Sequence, residues 1–400
     1  MQNAAWACRA YVTLYTMNLQ SIPKYYQAEL LRVAAPWAKS VADTAYGGFF
    51  ESITTDGLVF DTDKYIISQA QTTWAWAHLY QTTEAQPAWL ALAQHGADFL
   101  MKHGLDKKNN CLAATDRLGN LLAEATDATP AAFVSMALGK VYKISADATM
   151  AEVAKRTLMQ AIKTREKRLK KWQDDLLGEQ KLKNIAELAA LLEAVLENEL
   201  LLGKDFRTLA LAMTNEAMTH FYDKRGDMML VNVFAEGGFA ESHAGREVNA
   251  GLIFRVCNAL IEVAQRTQKL KLIGQLSQLV QYIADATWDK IHGGFYQCLD
   301  LKGHPVVRDD WSNKLGQSHF EALLVLLRCH THQPSAELSG LFEKVQEYTI
   351  KHFMSQDQAG DWPETLTRQG DRIESCWISP TKNPYSKIRN LTACIQMAQR

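Results

Sequence analysis

One stretch, Lys314 to Glu321, spaces its polar side chains so that they share one face of a helix. Lys314, Gln317 and Glu321 are separated by three and four residues, which aligns them along a single stripe. His319 lies about 160° from Glu321 around that helix at roughly 100° per residue, so the two side chains do not face one cavity together. Ammonium, amide and carboxylate groups in a stripe can bind the hydroxyls of a polar ligand. A buried structural pair of Lys314 and Glu321 is the competing interpretation.

The elements that would position this stripe are marked by a short unit that recurs along the chain. In its clearest copy, His292 to Gly303, a Gly pair, an alternating run and an Asp-containing turn predict a β-hairpin. Copies start at positions 47, 109, 226, 292 and 360. The period is roughly sixty residues with one double gap, so a sixth, eroded copy is predicted near residues 168–183.

Helical periodicity fills the segments between these units and predicts an all-α fold. The predicted helices cover residues 66–81, 87–103, 131–143, 184–202, 208–222, 247–267, 273–287, 317–330 and 339–353. One hairpin and two helices per period predict an (α/α)6 toroid of six helical hairpins, with short β-hairpins at one end. Residues 1–400 then form a single domain, with 1–20 as an N-terminal extension. The mouth of a pocket is expected at the end that carries the β-hairpins.

Composition excludes several classes of function. A formal net charge of −1 argues against nucleic acid as a partner. Seven cysteines without a Cys-x-x-Cys pair favour free thiols in a reducing compartment, and hence predict a cytoplasmic location. No run of apolar residues is long enough to span a membrane. Neither a metal-ligand cluster nor a phosphate or dinucleotide loop is present, so no metal and no cofactor are predicted. The charged stretch 150–183 is interpreted as a solvated outer face of a degenerate repeat rather than a partner-binding helix.

Seven stretches, at residues 47–51, 64–80, 91–103, 245–254, 292–303, 314–323 and 382–389, have a familiar order and spacing. Together they resemble the N-acylglucosamine 2-epimerase family of six-hairpin sugar epimerases and aldose-ketose isomerases, over about residues 36–398. The resemblance implies a toroid, a monosaccharide or N-acetylhexosamine substrate, and proton transfer next to the sugar carbonyl.

Most positions that the family uses for chemistry carry other residues in this chain. The resemblance places Gln71 where the family has an Arg. At the aromatic position that follows, the chain retains a tryptophan, Trp74. The family motif Pro-Gly-His-x-x-Glu falls on residues 244–249, so Arg246 replaces a catalytic His and Asn249 replaces a Glu. Arg246 stays protonated and can bind an oxyanion, but it cannot abstract a proton.

The C-terminal half shows the same pattern. The family motif Lys-x-Trp-Trp-x-x-x-Glu is only partly present. The chain retains its ends as Lys314 and Glu321 but has Gly316 and Gln317 at the paired Trp positions. Tyr-His-x-x-Arg keeps Tyr385 and Arg389 but has Ser386 at the position of the second catalytic His, and a third family His corresponds to Ala190.

A base that works near neutral pH is still required for proton transfer. The side chains proposed for that role are His243, Glu247, Glu321 and His319. The side chains proposed to bind substrate are Gln71, Trp74, Arg246, Asn249, Lys314, Gln317, Trp362, Tyr385 and Arg389. Packing is the competing interpretation for His319, Trp74 and Trp362, and His78 is interpreted as structural.

Three functions remain open at this stage. The first is a carbohydrate epimerase or aldose-ketose isomerase with an altered family active site, and the second is a catalytically inactive sugar-binding or regulatory protein of the same fold. The third is a glycoside hydrolase, for which Glu51, Glu247, Glu321 and Glu364 are available as opposed carboxylates. The expected partner is a small-molecule sugar rather than nucleic acid or a membrane, and the expected state is a monomer or homodimer.

Overall fold

The computed structural model describes residues 22–173, 176, 181–354, 361–373 and 376–399. Its α-helices are α1 (Ile22–Ser40), α2 (Ile66–Thr82), α3 (Pro87–His103), α4 (Thr129–Ser145), α5 (Ala148–Gln173), α6 (Ile185–Glu197), α7 (Glu199–Leu202), α8 (Asp205–Glu216), α9 (Ala250–Thr267), α10 (Leu270–Ala286), α11 (Gly316–His332), α12 (Ala336–Phe353) and α13 (Tyr385–Ala398). A π-helical turn, Ala217–Phe221, continues α8.

The strands are short. They are β1 (Ser52–Thr54), β2 (Val59–Asp61), β3 (Lys64–Tyr65), β4 (Leu112–Thr115), β5 (Leu121–Glu124), β6 (Leu182–Asn184), β7 (Tyr222–Asp223), β8 (Met228–Met229), β9 (Asn232–Phe234), β10 (Glu247–Val248), β11 (Leu299–Asp300), β12 (Lys314–Leu315), β13 (Thr365–Leu366) and β14 (Cys376–Ile378).

Six helices form an inner ring and six form an outer ring. The inner helices α2, α4, α6, α9, α11 and α13 each pack against the next, and α13 packs against α2. The outer helices α3, α5, α8, α10 and α12 each pack on the inner helix that precedes them in the chain, whereas α1 packs on α13. The predicted (α/α)6 toroid is therefore confirmed, and its first and last helices complete the closure. The single-domain organisation of the whole chain stays a prediction, because residues 1–21 lie outside the described residues.

Burial patterns explain which helices are inside. In α4 every residue from Pro130 to Val141 is buried, as expected for a helix surrounded by other helices. In the outer helix α10 the buried residues recur as a stripe through Ile273, Leu276, Val280 and Ile283, and the opposite face is open to solvent. Inner and outer helices can thus be distinguished by the width of their apolar surface.

The β-ribbons differ from the prediction in how their strands pair. The copies near 47, 109 and 226 do contain hairpins, formed by β1–β2, β4–β5 and β7–β8. The copy at 292–303 does not, because its strand β11 pairs with β10, and β13 near 365 pairs with β12. Strand β14 pairs with β1, so the ribbons of the last and first repeats meet. Of the eroded copy near 168–183, residues 174–175 and 177–180 lie outside the described residues.

In the described residues each of the nine predicted segments is mainly helical, although Glu247–Val248 is strand β10 and Tyr222 begins β7. Three of the described helices were not predicted. These are α1, α5 and α13, of which α5 falls within the charged stretch 150–183. Lys163, Lys167 and Lys170 on α5 are exposed, whereas Arg165 is buried against Glu187 and Glu216. Residues 150–173 of the stretch therefore belong to an outer helix with a solvated face, as the composition suggested.

Two of the Gly-Gly pairs, at residues 47–48 and 293–294, are required by the backbone of the loops that lead to α2 and α11. Gly293 and Gly294 have φ values of 76° and 75°, in the left-handed region that favours glycine. A Cβ atom on Gly294 would lie 2.6 Å from Cζ of Tyr348, which is too close for any side chain. The same loop geometry occurs at Gly47 and Gly48, so the two copies of the motif have a common structural cause.

A buried ion cluster recurs where inner helices begin. In each copy an acidic residue at or beyond the end of an outer helix accepts hydrogen bonds from one lysine and one arginine. The lysine always lies two or three residues before an inner helix, and its side chain is almost fully buried. The clusters are Asp43 with Lys64 and Arg117, Glu216 with Lys183 and Arg165, Asp289 with Lys314 and Arg368, and Asp361 with Lys382 and Arg372, at distances of 2.6–3.2 Å.

We expect Lys314→Met to destabilise the fold by about 3 kcal/mol, because it leaves the buried Asp289 carboxylate without its buried cation. Lys290→Met is the matched control, since the Lys290 side chain is 75% exposed and lies 3.7 Å from Asp285. The control should change stability by less than about 1 kcal/mol. Urea denaturation at pH 7 measures both values, and equal losses for the two variants would contradict a structural role for the cluster.

Candidate active site

A network of charged side chains crosses the axis of the ring. Arg255 on α9 donates to both carboxylate oxygens of Glu193 on α6, at 3.0 and 2.6 Å. Arg389 on α13 lies 3.0 Å from Glu193 and donates to Glu321 on α11 at 2.7 Å. Asn258 on α9 donates to the other oxygen of Glu321 at 2.9 Å. Four of the six inner helices are thus joined through hydrogen bonds near the axis.

A cavity of about 320 Å³ lies against this network, in the half of the ring where the inner helices end. Trp74, Glu193 and Arg389 form its inner part, and they are almost or largely buried. Leu200, which is 77% exposed, is at its rim. The cavity is large enough for a monosaccharide and is at the lower end of the usual range for ligand sites. It lies at the end of the ring opposite the β-ribbons, so the expectation of a ribbon-end mouth does not describe this cavity.

The carboxylates in the cavity wall are paired with cations. Glu197 accepts hydrogen bonds from Lys143 at 2.6 Å and from Nε1 of Trp74 at 2.9 Å, and Lys140 lies 3.6 Å away. Burial alone would raise the pKa of Glu197, but Lys140 and Lys143 lower it below its usual value. Glu197 is therefore an ionised acceptor at neutral pH rather than a proton donor.

A second ion cluster lies on the same wall. Glu262 is held by Arg328 at 2.9 Å and by Arg266. Burial opposes ionisation of Glu262, but Arg328 and Arg266 lower its pKa to about 2. The wall therefore offers charged donors and acceptors to the hydroxyls of a ligand, and these carboxylates are too acidic to serve as strong bases.

An aromatic cluster lies beside the axial network and contributes Trp74 and His78 to the cavity wall. The indole of Trp74 stacks on the imidazole of His78, with ring centroids 4.3 Å apart, and meets the ring of Tyr385 edge-on at 5.1 Å. Tyr385 is 4% exposed, and among the described residues its hydroxyl has no hydrogen-bond partner. An unpaired buried hydroxyl next to Glu193 and Arg389 is unfavourable unless a ligand or water bonds it.

A smaller pocket of about 170 Å³ lies between the ribbons and brings His243 and Glu247 together. Arg308, 3.9 Å from Glu247, and the buried Cys298 also line it. Arg246 lies beside this pocket, where it donates to Asp300 at 2.9 Å and to Nδ1 of His243 at 3.3 Å. These residues are therefore distant in the fold from the axial network, and Arg246 does not join Trp74, Glu321 and Tyr385.

His319 is a correction to the predicted catalytic set. Its Nδ1 donates to the carbonyl of Leu315 at 2.7 Å and its Nε2 accepts from the backbone N–H of Phe295 at 3.0 Å. The ring is fully buried among Trp288, Tyr348 and Phe353. Burial lowers its pKa to about 3, so the imidazole is neutral. His319 connects a ribbon to α11 and has no atom available for a substrate.

Several residues predicted to bind substrate are instead engaged by the protein. Lys314 is part of a buried ion cluster, Asn249 caps α9 by accepting from the N–H of Leu252, and Trp362 donates to Glu364 at 3.1 Å. Gln71 accepts from Asn383 at 2.8 Å, whereas the side chain of Gln317 is exposed at the start of α11. Trp74 is covered by His78 on one face and bonded to Glu197, so it positions other groups rather than stacking on a sugar.

The structure brings four predicted residues, Trp74, Glu321, Tyr385 and Arg389, to the axis. It adds residues that the sequence analysis did not select, and these are Lys140, Glu193, Glu197, Arg255, Asn258, Glu262 and Arg328. A usable signal existed for the two glutamates of α6, because they are charged residues within a strongly apolar helix. These are Glu193 and Glu197, four residues apart in α6.

Glu51, one of the carboxylates considered for glycoside hydrolysis, lies beneath the first ribbon. One of its oxygens accepts from the N–H of Tyr65 at 2.7 Å, and the residue is 2% exposed. Burial raises the pKa of Glu51 to about 8, so it carries a proton at neutral pH. It therefore lacks the negative charge that a nucleophilic carboxylate needs.

The raised pKa predicts a pH dependence of stability. Between about pH 4.5 and 8 the unfolded chain releases the Glu51 proton while the folded chain retains it, so stability falls as pH rises through this window. We expect Glu51→Gln to remove this loss and to gain up to about 4 kcal/mol over wild type between pH 5 and 8. Urea titrations at both pH values measure the gain. The control Glu343→Gln, at an exposed position, should give no such difference, and an unchanged slope in Glu51→Gln would contradict the assignment.

In the described residues, no group of three or more His, Cys, Asp or Glu side chains is arranged to hold a metal ion. None of the helices in these ranges combines the length and apolar character needed to cross a membrane.

A closed ring of helical hairpins with a polar cavity of monosaccharide size defines the class as (α/α)6 toroids with a small-molecule site. The chain matches the family model for N-acylglucosamine 2-epimerase over residues 48–383. The chain belongs to the N-acylglucosamine 2-epimerase family, as the sequence resemblance predicted.

Individual relatives agree with this assignment. The mouse N-acylglucosamine 2-epimerase is 26% identical over 389 residues, covering 95% of this chain and 92% of the relative. The cellobiose 2-epimerase of Bacillus thermoamylovorans has a TM-score of 0.79 at 15% identity, covering 94% and 99% of the two chains. A D-mannose isomerase structure has a TM-score of 0.80 at 14% identity, covering 93% and 97%. The family therefore supports the predicted class of carbohydrate epimerase or isomerase and does not favour an inactive protein, while these solved structures show the shared fold.

Proposed function

We propose that this protein is a carbohydrate epimerase or aldose-ketose isomerase that moves a proton at the carbon next to the carbonyl of a monosaccharide or N-acetylhexosamine. The observation that carries the proposal is the family match across residues 48–383 together with an axial cavity of about 320 Å³. Relatives named as N-acylglucosamine 2-epimerase, cellobiose 2-epimerase and D-mannose isomerase define the substrates to test first.

The axial cavity is the proposed sugar site. Arg389 and Glu193 line it and offer a donor and an acceptor from the charged network. The unpaired hydroxyl of Tyr385 belongs to the layer behind the wall, where its ring contacts Trp74. Charged and hydroxyl groups of this kind bind sugar hydroxyls with defined orientation. Glu321 acts here as a positioning residue, because it is bonded by both Arg389 and Asn258.

The pocket between the ribbons is a second candidate for the reacting centre. It brings together His243 and Glu247, which are both titratable, with Arg246 and Arg308 close to them. Its volume of about 170 Å³ makes it the tighter of the two sites. The axial cavity remains the preferred site because it is the larger of the two and lies against the charged network of the inner helices.

Deuterium exchange tests the reaction directly. The purified protein is incubated in heavy water with N-acetylglucosamine, N-acetylmannosamine, mannose, glucose, fructose and cellobiose, and each sugar is analysed by NMR and mass spectrometry. We expect deuterium at the carbon next to the carbonyl of at least one sugar, together with its epimer or ketose. Saturable binding of a sugar without any exchange would contradict the proposal and favour a binding protein of this fold.

Tyr385→Phe tests the site. The substitution removes a hydroxyl that bonds no described residue, so thermal stability should not fall, whereas kcat/KM should fall about tenfold through loss of a hydrogen bond to the sugar. Tyr348→Phe is the matched control, because its hydroxyl is also buried and unpaired but lies on the outer helix α12. Equal kinetics for Tyr385→Phe and wild type would contradict a role of this hydroxyl in binding the sugar.

We further propose a cytoplasmic location, which the six free thiols of the described cysteines support. A monomer or a homodimer is the proposed state. Sedimentation analysis of the purified chain measures it.

A further inference from the structure

We propose that the ligand of the axial cavity is a sugar that carries an anionic substituent, a phosphate or a carboxylate, and that the ammonium group of Lys140 binds this substituent. The inference rests on the proposed function, because the ligand is then the substrate, and it narrows the substrate class. Lys140 lies near the end of α4, and Lys143 follows it by one helical turn. Both side chains line the cavity.

Lys140 is a buried cation that lacks a hydrogen bond. It is the one charged residue in the buried run Pro130–Val141 of α4, and it is 8% exposed. Its ion-pair partner is Glu197, whose Oε1 lies 3.6 Å from Nζ, a separation longer than a hydrogen bond. An ammonium group that is taken from water without gaining a hydrogen bond is unfavourable. Its donors are therefore available to a ligand.

The ammonium nitrogen of Lys140 can be reached from the cavity. Its side chain lines the cavity and keeps 10% of its surface accessible. In the described residues, the solvent-shielded polar atoms without a hydrogen-bond partner include Nδ1 of His78 and the hydroxyl of Tyr385, but not Nζ of Lys140. Because Nζ bonds no described residue either, it must itself be accessible. An oxygen atom of a ligand in the cavity can thus approach it within hydrogen-bond distance.

Two ammonium groups share one carboxylate oxygen at this point of the wall. Oε1 of Glu197 lies 2.6 Å from Nζ of Lys143 and 3.6 Å from Nζ of Lys140. The other oxygen of Glu197 accepts from Nε1 of Trp74, which carries no charge. The group of three charges therefore has a local charge of +1. One negative substituent would balance it, and a hydrogen bond between two ionised groups is stronger than one between neutral groups.

The remaining carboxylates of the cavity cannot neutralise Lys140, because each accepts a hydrogen bond from an arginine. These pairs are Glu193 with Arg255, Glu199 with Arg266, and Glu262 with Arg328. Five cationic side chains and four carboxylates line the cavity, which leaves an excess of one positive charge. Including Arg255 and Glu321, which lie behind the wall, raises both counts by one and leaves the excess unchanged.

The titration of groups in the wall reflects this positive charge. Burial lowers the pKa of His78 well below its usual value, and Lys140, Arg389 and Lys143 lower it further. Burial also lowers the pKa of Lys140, and Glu197 offsets that effect only in part. A surrounding that disfavours a further cation favours an anion. A bound phosphate or carboxylate would stabilise the charged form of Lys140.

The anionic substituent and the reacting carbons would use different parts of the cavity. Lys140 and Lys143 belong to α4, whereas Glu193 and Arg389 belong to the axial network on α6 and α13. The C6 position of a hexose is remote from C1 and C2. A phosphate or carboxylate at C6 can therefore occupy the α4 side while C1 and C2 remain near Glu193 and Arg389.

The first test compares neutral and anionic members of matched sugar pairs on the wild-type protein. The pairs are glucose with glucose 6-phosphate, mannose with mannose 6-phosphate, N-acetylglucosamine with its 6-phosphate, and glucose with glucuronate. In the deuterium-exchange assay, kcat/KM of at least one anionic sugar should exceed that of its neutral partner about tenfold or more. The pair that shows the preference distinguishes phosphate from carboxylate. Equal values, or a preference for the neutral sugar in every pair, would overturn the inference.

Lys140→Met tests the residue, because it removes the ammonium group and keeps a side chain of similar length. Glu197 retains its hydrogen bonds from Lys143 and Trp74, so we expect the variant to fold. The ratio of kcat/KM for the anionic sugar to that for its neutral partner should fall about tenfold. Calorimetry should show a similar loss of affinity for the anionic sugar.

Lys163→Met is the matched control, since it removes the same charge at an exposed position on the outer helix α5. It should keep the wild-type ratio. A purely structural role of Lys140 would lower kcat/KM for both members of a pair and leave their ratio unchanged, and that result would contradict the inference.

The outcomes separate this inference from the proposed function. If neutral sugars exchange deuterium as well as their anionic partners do, the inference fails and the proposed function stands. If an anionic sugar binds wild type and loses about tenfold in affinity in Lys140→Met, but no sugar exchanges deuterium, the anionic ligand stands and the proposed reaction fails. If the anionic preference persists in folded Lys140→Met, the substituent binds elsewhere and the assignment to Lys140 is wrong.

Discussion

The ring depends on one recurring interaction, in which a buried acidic residue binds one lysine and one arginine just before an inner helix begins. Placing a lone carboxylate or ammonium in the protein interior is strongly unfavourable, so neither partner is tolerated there without the other. Each cluster joins the end of an outer helix to the chain just before an inner helix, and in the case of Asp289 the arginine, Arg368, comes from the next ribbon. The clusters thereby set the position of successive repeats relative to each other.

This constraint explains why the ribbon end and the opposite end of the ring differ. At the ribbon end, short strands, glycine turns and buried ion clusters use the polar groups for structure. At the opposite end, isolated charged residues on otherwise apolar inner helices meet around a cavity, as Glu197 and Lys143 do. Polar groups near the axis remain available to a ligand there because fewer backbone groups compete for them.

The altered family positions acquire a structural explanation. Asn249 caps α9, Arg246 is bonded to Asp300, and Ser386 accepts hydrogen bonds from Asn390, so each replacement has a partner within the protein.

The sequence by itself determined the six-repeat ring, because glycine turns and helical periodicity are local properties that each repeat displays. It also identified Trp74, Glu321, Tyr385 and Arg389, which lie on inner helices and meet at the axis. Tertiary structure alone decided that His319 packs against outer helices, that β11 pairs with β10, and that the cavity lies away from the ribbons. These features depend on contacts between residues far apart in the chain, and the pattern of a single helix does not contain the identity of its neighbours.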